Sequence, residues 1–299
     1  MNRQREDSSI GIIGTDEKII IVLSYVFMGI AGLIAIIPVL HVLAKSVSSG
    51  AAVTAGMVKL WPVNFQLETI IFILKDTNFF TSLFNSLFVT VVGTMVSMFA
   101  TITTAYPLSK VNLKGRKFVL MLYIITMLFY GGTVPTYMII KSLGLLNTYA
   151  ALILPFVIIQ FNMLIVKNYL ESFPESIEES AKLDGASDFK ILIFLVIPIA
   201  MPVVATVSLL YAVNYWNNYF HAMLFTSTPN MKTLQLFLYD TINTAEEMVE
   251  KLVSNKATNV SIEGVRSAAI VLSMIPIICL YPLVQRFLVK GITIGSVKG

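Results

Sequence analysis

Residues 171–198 read ESFPESIEESAKLDGASDFKILIFLVIP, and this stretch is charged in its first half and apolar in its second. Long uncharged runs lie on both sides of the charged half. Charged side chains are expensive in a bilayer core, so the charged half is predicted to form a cytoplasmic elbow between two membrane helices. An elbow of this kind is expected to contact another protein.

Six uncharged runs define the fold class. The chain has 299 residues, of which 56% are hydrophobic and 13% charged, whereas soluble domains average about a quarter charged. Each run is long enough for the roughly 20 helical residues that cross a bilayer, whereas barrel strands are shorter and alternate. The runs are residues 19–44, 77–109, 118–140, 142–166, 191–231 and 267–285. The sequence therefore predicts an all-α membrane protein with six transmembrane helices.

The distribution of basic residues predicts the orientation. Most of the 21 Lys and Arg fall before the first run, in Lys110–Lys117, in Lys167–Lys190 and after the last run. Cytoplasmic connections are richer in Lys and Arg, so both termini are predicted to face the cytoplasm. The basic residues are scattered rather than gathered in a stripe, which argues against nucleic acid as a partner.

The sequence lacks the groups needed for several kinds of chemistry. It has no G-x-x-x-x-G-K-[ST] phosphate loop, and His41 and His221 are too far apart in sequence to suggest a metal cluster. No acidic or basic residue falls in the core of a predicted span, although ion-coupled transporters generally need one. We therefore expect no catalytic site, metal or cofactor in this chain, and an energy source that lies elsewhere.

Amide and aromatic residues mark a candidate pathway through the membrane. The fifth run is about twice the length that one span needs, and its second half reads NYWNNYFH over residues 214–221. Aromatic rings stack on sugar C–H faces and amides bond hydroxyls, so this cluster favours sugar contact, with an interfacial aromatic belt as the alternative. Two other features could line the same route: the GGTVP break in the third span and the polar residues of the fourth span. The alternative is that both serve only the packing of one helix against another. The fourth span is predicted to run from about Tyr149 to Tyr169. The candidate pathway residues are Tyr130, Gly132, Asn162, Asn214, Trp216, Asn217 and Asn218.

Local signals predict two helices in the elbow. Ser172 and Glu175 form an S-x-x-E capping box, so the first helix should begin at about Phe173 and end near Gly185. Ser187 and Asp188 should cap a second helix that becomes the fifth span. A face of small residues on the first helix, with Glu179 beside it, could fit a groove on a partner.

The elbow resembles the EAA loop of binding-protein-dependent ABC importer permeases. The pattern E-A-A-x3-G-x9-I-x-L-P is matched by Glu179, Ser180, Ala181, Gly185 and the segment Leu195–Pro198, with mild departures at the second and the two aliphatic positions. The resemblance implies a type I importer (MetI-like) permease fold and a coupling helix that docks on an ATPase subunit. The implied ATPase-coupling residues are Glu178, Glu179, Ala181, Asp184, Gly185 and Ala186.

The C-terminal tail narrows the resemblance. KGITIGSVKG resembles the end of MalG-type carbohydrate permeases, and the GGTVPTYMIIKSLGLLNTYAALILP and YAVNYWNNYFHAML strings resemble the LplC-like branch for complex or acidic oligosaccharides. This implies a second, related permease, a dimer of cytoplasmic ATPase subunits that carry ATP and Mg, and an extracellular solute-binding protein. The resemblance also implies that Gly295, Lys298 and Gly299 reach the ATPase, and that the loop of residues 229–263 touches the binding protein.

These expectations combine into one hypothesis with two alternatives. The chain is expected to be a permease subunit of an ATP-driven oligosaccharide importer in the bacterial cell membrane. Its predicted parts are a cytoplasmic tail (1–18), a first span with an extracellular segment (19–82), the permease domain (83–290, with the EAA loop at 171–198) and a cytoplasmic tail (291–299). The alternatives are the same architecture for another solute, such as a polyol or peptide, and an ion-coupled secondary transporter.

Overall fold

The structure is a computed structural model that describes residues 15–254 and 259–295, and these residues contain helices and no β-strand. The helices are α1 (Thr15–Ser46), α2 (Gly50–Thr54), α3 (Glu68–Leu74), α4 (Thr77–Ser109), α5 (Arg116–Leu128), α6 (Thr133–Ser142), α7 (Tyr149–Ile153), α8 (Gln160–Glu171), α9 (Glu175–Leu183), α10 (Asp188–Ile191), α11 (Ile197–Ile199), α12 (Met201–Trp216), α13 (Tyr219–Phe225), α14 (Leu234–Ser254) and α15 (Ile262–Gly295).

Three continuous helices and three bent pairs account for the six predicted spans. The helices α1, α4 and α15 are each long and apolar enough to cross a bilayer. Three further candidate spans are helix pairs bent by 113° between α5 and α6, 50° between α7 and α8, and 83° between α11 and α12. The all-α membrane architecture is therefore confirmed, but half of its spans are broken.

Each break has a local cause in the sequence. The break predicted at GGTVP is present, and Gly132 adopts φ +94°, a conformation that favours glycine. A 3₁₀ turn at Leu154–Phe156 contains Pro155, so the prediction of one continuous fourth helix from Tyr149 to Tyr169 is wrong. The fifth span bends at Ala200, between Pro198 and Pro202, after a π-helical segment at Leu192–Val196. Prolines remove a backbone donor and clash with the preceding turn, which explains both kinks.

The α4–α12 contact forms the centre of the core. Gly93 and Ser97 are buried against Tyr215. Farther along α4, Thr101 and Ala105 are buried and continue the same four-residue spacing. Small residues in this stripe let the tyrosines of α12 approach the α4 backbone.

Two long-range hydrogen bonds show which loops lie at each end of α4. Near its start, Ser86 accepts a hydrogen bond from the Leu234 backbone at 2.7 Å, so α4 begins beside the α13–α14 segment. Near its end, Tyr106 donates to Glu178 at 3.3 Å, so the elbow lies beside the 110–117 loop. Twenty helical residues separate these positions, or about 30 Å along the axis. The two basic loops predicted to share one membrane face therefore do lie together.

Two boundaries differ from those predicted. Residues 229–263 were expected to be a polar loop, but they contain the amphipathic helix α14, which packs on α15. The last helix extends to Gly295 and takes in part of the predicted tail, while Lys298 and Gly299 lie outside the described residues.

Candidate functional site

Three predicted pathway residues lie together in one cavity. The cavity has a volume of about 410 Å³ and forms where α12 ends, opposite the 3₁₀ turn of the broken fourth span. Its lining residues are Phe156, Val213, Asn214, Asn217, Asn218, Tyr219, Phe220 and His221. The structure thus joins the predicted amide and aromatic residues into one open site.

Hydrogen bonds within the cavity leave one amide free for a ligand. The Asn218 Oδ1 atom accepts from the His221 backbone N–H at 3.2 Å and lies 2.7 Å from His221 Nδ1, so Asn218 caps α13. The Asn217 amide donates to the Val213 carbonyl at 3.0 Å. Asn214 is exposed, and its side chain makes no hydrogen bond within the described part of the chain. Asn214 is therefore the amide best placed to bond a hydroxyl group.

Aromatic rings form the rest of the wall. His221 packs against Phe156 with ring centroids 4.6 Å apart, and Tyr219 stacks on Tyr239 of α14 at 5.3 Å. Among the residues that the structure describes, no Asp, Glu, Lys or Arg belongs to the lining. Amide donors and acceptors beside aromatic faces suit a neutral hydroxyl-bearing ring better than an isolated charge.

The other four predicted pathway residues lie elsewhere. Trp216 is 3% exposed and packs in a separate core cluster that includes Phe237 and Val265. Asn162 is buried on α8, Tyr130 is exposed at the break after α5, and Gly132 begins α6. None of them lines the cavity. The helix α12 ends at Trp216 and α13 begins at Tyr219, so the turn between them brings the cavity residues together, and no single helical face in the sequence separates them from Trp216.

Phe156 was missed from the sequence. It lies far from residues 214–221 along the chain, in the apolar LPF of the fourth span. Pro155 signals a kink there, but only the packing of α7 and α8 against α12 brings Phe156 to the cavity.

The elbow is a second candidate site. Its helix α9 begins at Glu175 with Pro174 as the N-cap and no side-chain cap, so the predicted capping box is wrong. Ser172 instead donates to the Tyr169 carbonyl at 2.7 Å. The predicted end is confirmed, since Gly185 follows α9 with φ +81°, and Ser187 caps α10 as expected.

The residues of α9 divide between an exposed and a buried side. Glu179, Asp184 and Gly185 are exposed, while Ala181 and Ala186 are half-buried against the main core. Leu183, which the sequence reasoning did not single out, is 89% exposed. Lys182 bonds Asp188 Oδ1 at 2.9 Å, and this hydrogen bond raises the pKa of Lys182. The exposed side thus presents a carboxylate and a large apolar side chain to its surroundings.

Glu178 faces the opposite way. It is 8% exposed, forms an ion pair with Lys110 and accepts a hydrogen bond from Tyr106. A partner protein therefore has little access to Glu178, although the resemblance grouped it with Glu179.

A second group of ion pairs connects the 110–117 loop to the end of α8. Glu171, at the end of α8, pairs with both Arg116 and Lys167. The Arg116 Nε atom also donates to the Leu108 carbonyl at 2.9 Å, which links the start of α5 to the end of α4. These contacts thus connect the elbow to the end of α4, the start of α5 and the end of α8.

Broken membrane helices beside a polar cavity are typical of the membrane subunits of transporters, and the comparisons with known proteins agree. The chain belongs to the family described as binding-protein-dependent transport system inner membrane component, which matches residues 17–294. It is a permease subunit of an ABC importer.

Relatives of this chain cover almost its full length. It is 39% identical over 284 residues to Protein LplC of Bacillus subtilis (strain 168), which covers 93% of this chain and 94% of the relative. It is also 39% identical over 278 residues to the polygalacturonan/rhamnogalacturonan transport system permease protein YtcP of the same organism, with 93% and 97% covered.

A solved structure shares the fold. It is a crystal structure of a bacterial ABC transporter involved in the import of the acidic polysaccharide alginate, and one of its chains superposes with a TM-score of 0.85. The two chains are 36% identical, and the match covers 91% of this chain and 98% of the other.

Proposed function

We propose that this chain forms, with a second permease, the membrane pathway for an oligosaccharide that an extracellular binding protein delivers. The observation that carries the substrate class is the cavity, where free and capping amides lie beside aromatic rings. Polygalacturonan, rhamnogalacturonan and alginate, named for a relative and for the solved transporter, are all acidic polysaccharides. The proposed substrate is therefore an oligosaccharide whose hydroxyl faces meet this cavity, and the names of these relatives make uronate-containing oligomers the first to test.

The proposed energy source is a pair of separate ATPase subunits that bind ATP and Mg. The exposed side of α9, with Glu179 and Leu183, supplies the docking surface, as the EAA resemblance implies. We accordingly propose that the elbow, the 110–117 loop and both termini face the cytoplasm. The opposite group of loops, including α14, then faces the binding protein.

The mechanism follows from linked two-state equilibria. A loaded binding protein stabilises the outward-facing state, and closure of the ATPase pair moves α9 and the helices joined to it. Each ligand shifts the equilibrium only through different contacts with the two states. The cavity is exposed to one side of the membrane at a time.

Uptake in proteoliposomes tests the proposal. The full importer is assembled with its partner permease, ATPase and binding protein, and labelled oligogalacturonides are offered outside with ATP inside. We expect ATP-dependent uptake in the wild type and its loss in Glu179→Arg and Gly185→Asp. Lys114→Glu is the matched control, because Lys114 is exposed in the neighbouring 110–117 loop.

Two outcomes would contradict the proposal. Undiminished uptake by Glu179→Arg in a normally assembled complex would remove the elbow from the docking surface. Calorimetry on the binding protein with oligogalacturonides, alginate oligomers, polyols and peptides would reassign the substrate if only a polyol or peptide bound.

A further inference from the structure

One buried carboxylate, that of Glu178, connects the elbow helix α9 to the end of α4. Glu178 is the buried side chain among those described on α9, and it lies between Lys110 and Tyr106. Lys110 pairs with its Oε2 atom, and the Tyr106 hydroxyl donates to the same oxygen at 3.3 Å. The Lys110 Nζ atom also lies 4.6 Å from the centroid of the Tyr106 ring. The three side chains therefore form one closed set of contacts, which we call the α4–α9 joint.

This arrangement is a poor choice for stability alone. The Glu178 carboxylate is buried, whereas the Lys110 side chain is 36% exposed. The pair must offset the desolvation of the carboxylate, and well-packed apolar residues often stabilise such a position as well or better. Removing one partner, in contrast, leaves an uncompensated buried charge. The joint therefore holds α9 in a defined position on α4, since sliding or rotation of α9 would separate the two charges.

A continuous chain of contacts leads from this joint to the cavity. The helix α4 holds α12 through Thr101 and Tyr211, whose hydroxyl oxygens lie 2.7 Å apart, and through Ser97 and Tyr215 at 2.9 Å. Trp216 is the last residue of α12, and the residues that follow it, Asn217–His221, belong to the cavity wall. Movement of α9 can thus reach the cavity through two rigid helices.

We infer that Lys110, Tyr106 and Glu178 are positioning residues that transmit movement of the elbow helix to α4, while the adjacent Glu179 faces the ATPase. This inference rests on the proposed coupling to a separate ATPase. It assigns the two neighbouring glutamates opposite tasks, one toward the partner and one toward the chain's own membrane helices.

Exchange of the two charges tests the joint. The fully assembled importer is prepared with Lys110→Glu, Glu178→Lys and both changes together, and the number of sugars imported per ATP hydrolysed is measured. We expect each single change to lower that ratio at least about fivefold, the lower range of a typical coupling energy. The double exchange should restore it to within about twofold of wild type, because the pair re-forms with reversed charges.

The matched control uses a neighbouring lysine. Glu178→Lys combined with Lys114→Glu should show no recovery, since Lys114 is exposed in the same loop and forms no ion pair with Glu178 among the described residues. A purely structural role would lower uptake and ATP hydrolysis together with complex yield and leave their ratio unchanged. An unchanged ratio in the single variants, or a double exchange no better than the singles, overturns the inference.

If the charge-reversed variants do not assemble, a variant in which both charged residues are replaced by neutral ones still tests the inference. Lys110→Gln with Glu178→Gln removes both charges and leaves no buried charge unpaired. We expect this variant to assemble and to show the same fall in sugars per ATP, and a wild-type ratio overturns the joint. The wild-type importer separates the two proposals: absence of uptake there counts against the proposed function, whereas normal uptake with unaffected joint variants counts against the joint alone.

Discussion

The Tyr211 hydroxyl accepts a hydrogen bond from the backbone N–H of Ile159 at 3.0 Å, at the point where the fourth span is broken. One turn further along α12, the Tyr215 hydroxyl donates to the Ile153 carbonyl on the other side of the break at 3.1 Å. Backbone groups freed in a membrane must find partners within the protein. These two tyrosines supply partners on both sides of the 3₁₀ turn, and this explains how the break is tolerated.

Tyr211→Phe should destabilise the assembled complex by about 1–3 kcal/mol, the range for a buried donor left without a partner. The change removes the hydroxyl from both Ile159 and Thr101 and leaves the ring in place. Thermal unfolding in detergent measures the effect. Tyr25→Phe is the control, because Tyr25 is 75% exposed on α1 and should leave the midpoint unchanged. Equal midpoints for the two variants would show that the hydroxyl does not support the break.

Gly93→Ala should also destabilise the complex, by about 1–3 kcal/mol, as expected for an overpacked core. A Cβ atom at Gly93 would lie 2.8 Å from the Tyr215 ring, so α4 and α12 would have to separate. The same thermal unfolding assay applies. Gly29→Ala on α1 is the matched control, because nothing lies within 4 Å of its Cβ position. A Gly93→Ala complex as stable as this control would mean that the two helices can separate at no cost.

Asn214→Leu should lower sugar uptake without changing thermal stability, because its amide faces the cavity and makes no hydrogen bond within the described residues. Asn218→Leu should instead destabilise the complex by about 0.5–2 kcal/mol, the value of a helix N-cap, since Asn218 caps α13. Uptake and unfolding are measured on both. Asn112→Leu, at an exposed asparagine in the 110–117 loop, serves as the control. Normal uptake by Asn214→Leu would exclude that amide from the pathway.

Trp216→Phe should preserve both uptake and stability, whereas Trp216→Ala should cost about 3–5 kcal/mol. The indole is buried among apolar residues, and its Nε1 atom has no hydrogen-bond partner in the structure, so phenylalanine removes an unpaired polar group. Uptake and unfolding are again compared. A selective loss of uptake in Trp216→Phe would return Trp216 to the sugar pathway, where the sequence first placed it.

Local signals were enough for much of the elbow. Gly185 ends α9 and Ser187 caps α10 because a positive φ angle and a side-chain cap depend on near neighbours alone. The capping box failed because Ser172 bonds back to Tyr169, an equally local competitor that the S-x-x-E pattern does not reveal. The helix α14 was missed because its charges and polar residues resemble those of a loop, although it packs on α15.

The sequence by itself determined the number of spans, the grouping of the basic loops and the position of the elbow, since each of these follows from the transfer of a continuous segment between water and lipid. Tertiary structure alone decided that Glu178 turns inward while Glu179 stays exposed, that Trp216 leaves the cavity and that Phe156 joins it. These outcomes depend on contacts between residues far apart in sequence, such as Lys110 with Glu178 and Phe156 with His221. A hydropathy pattern does not predict such contacts, because they arise only when the broken helices pack against α4 and α12.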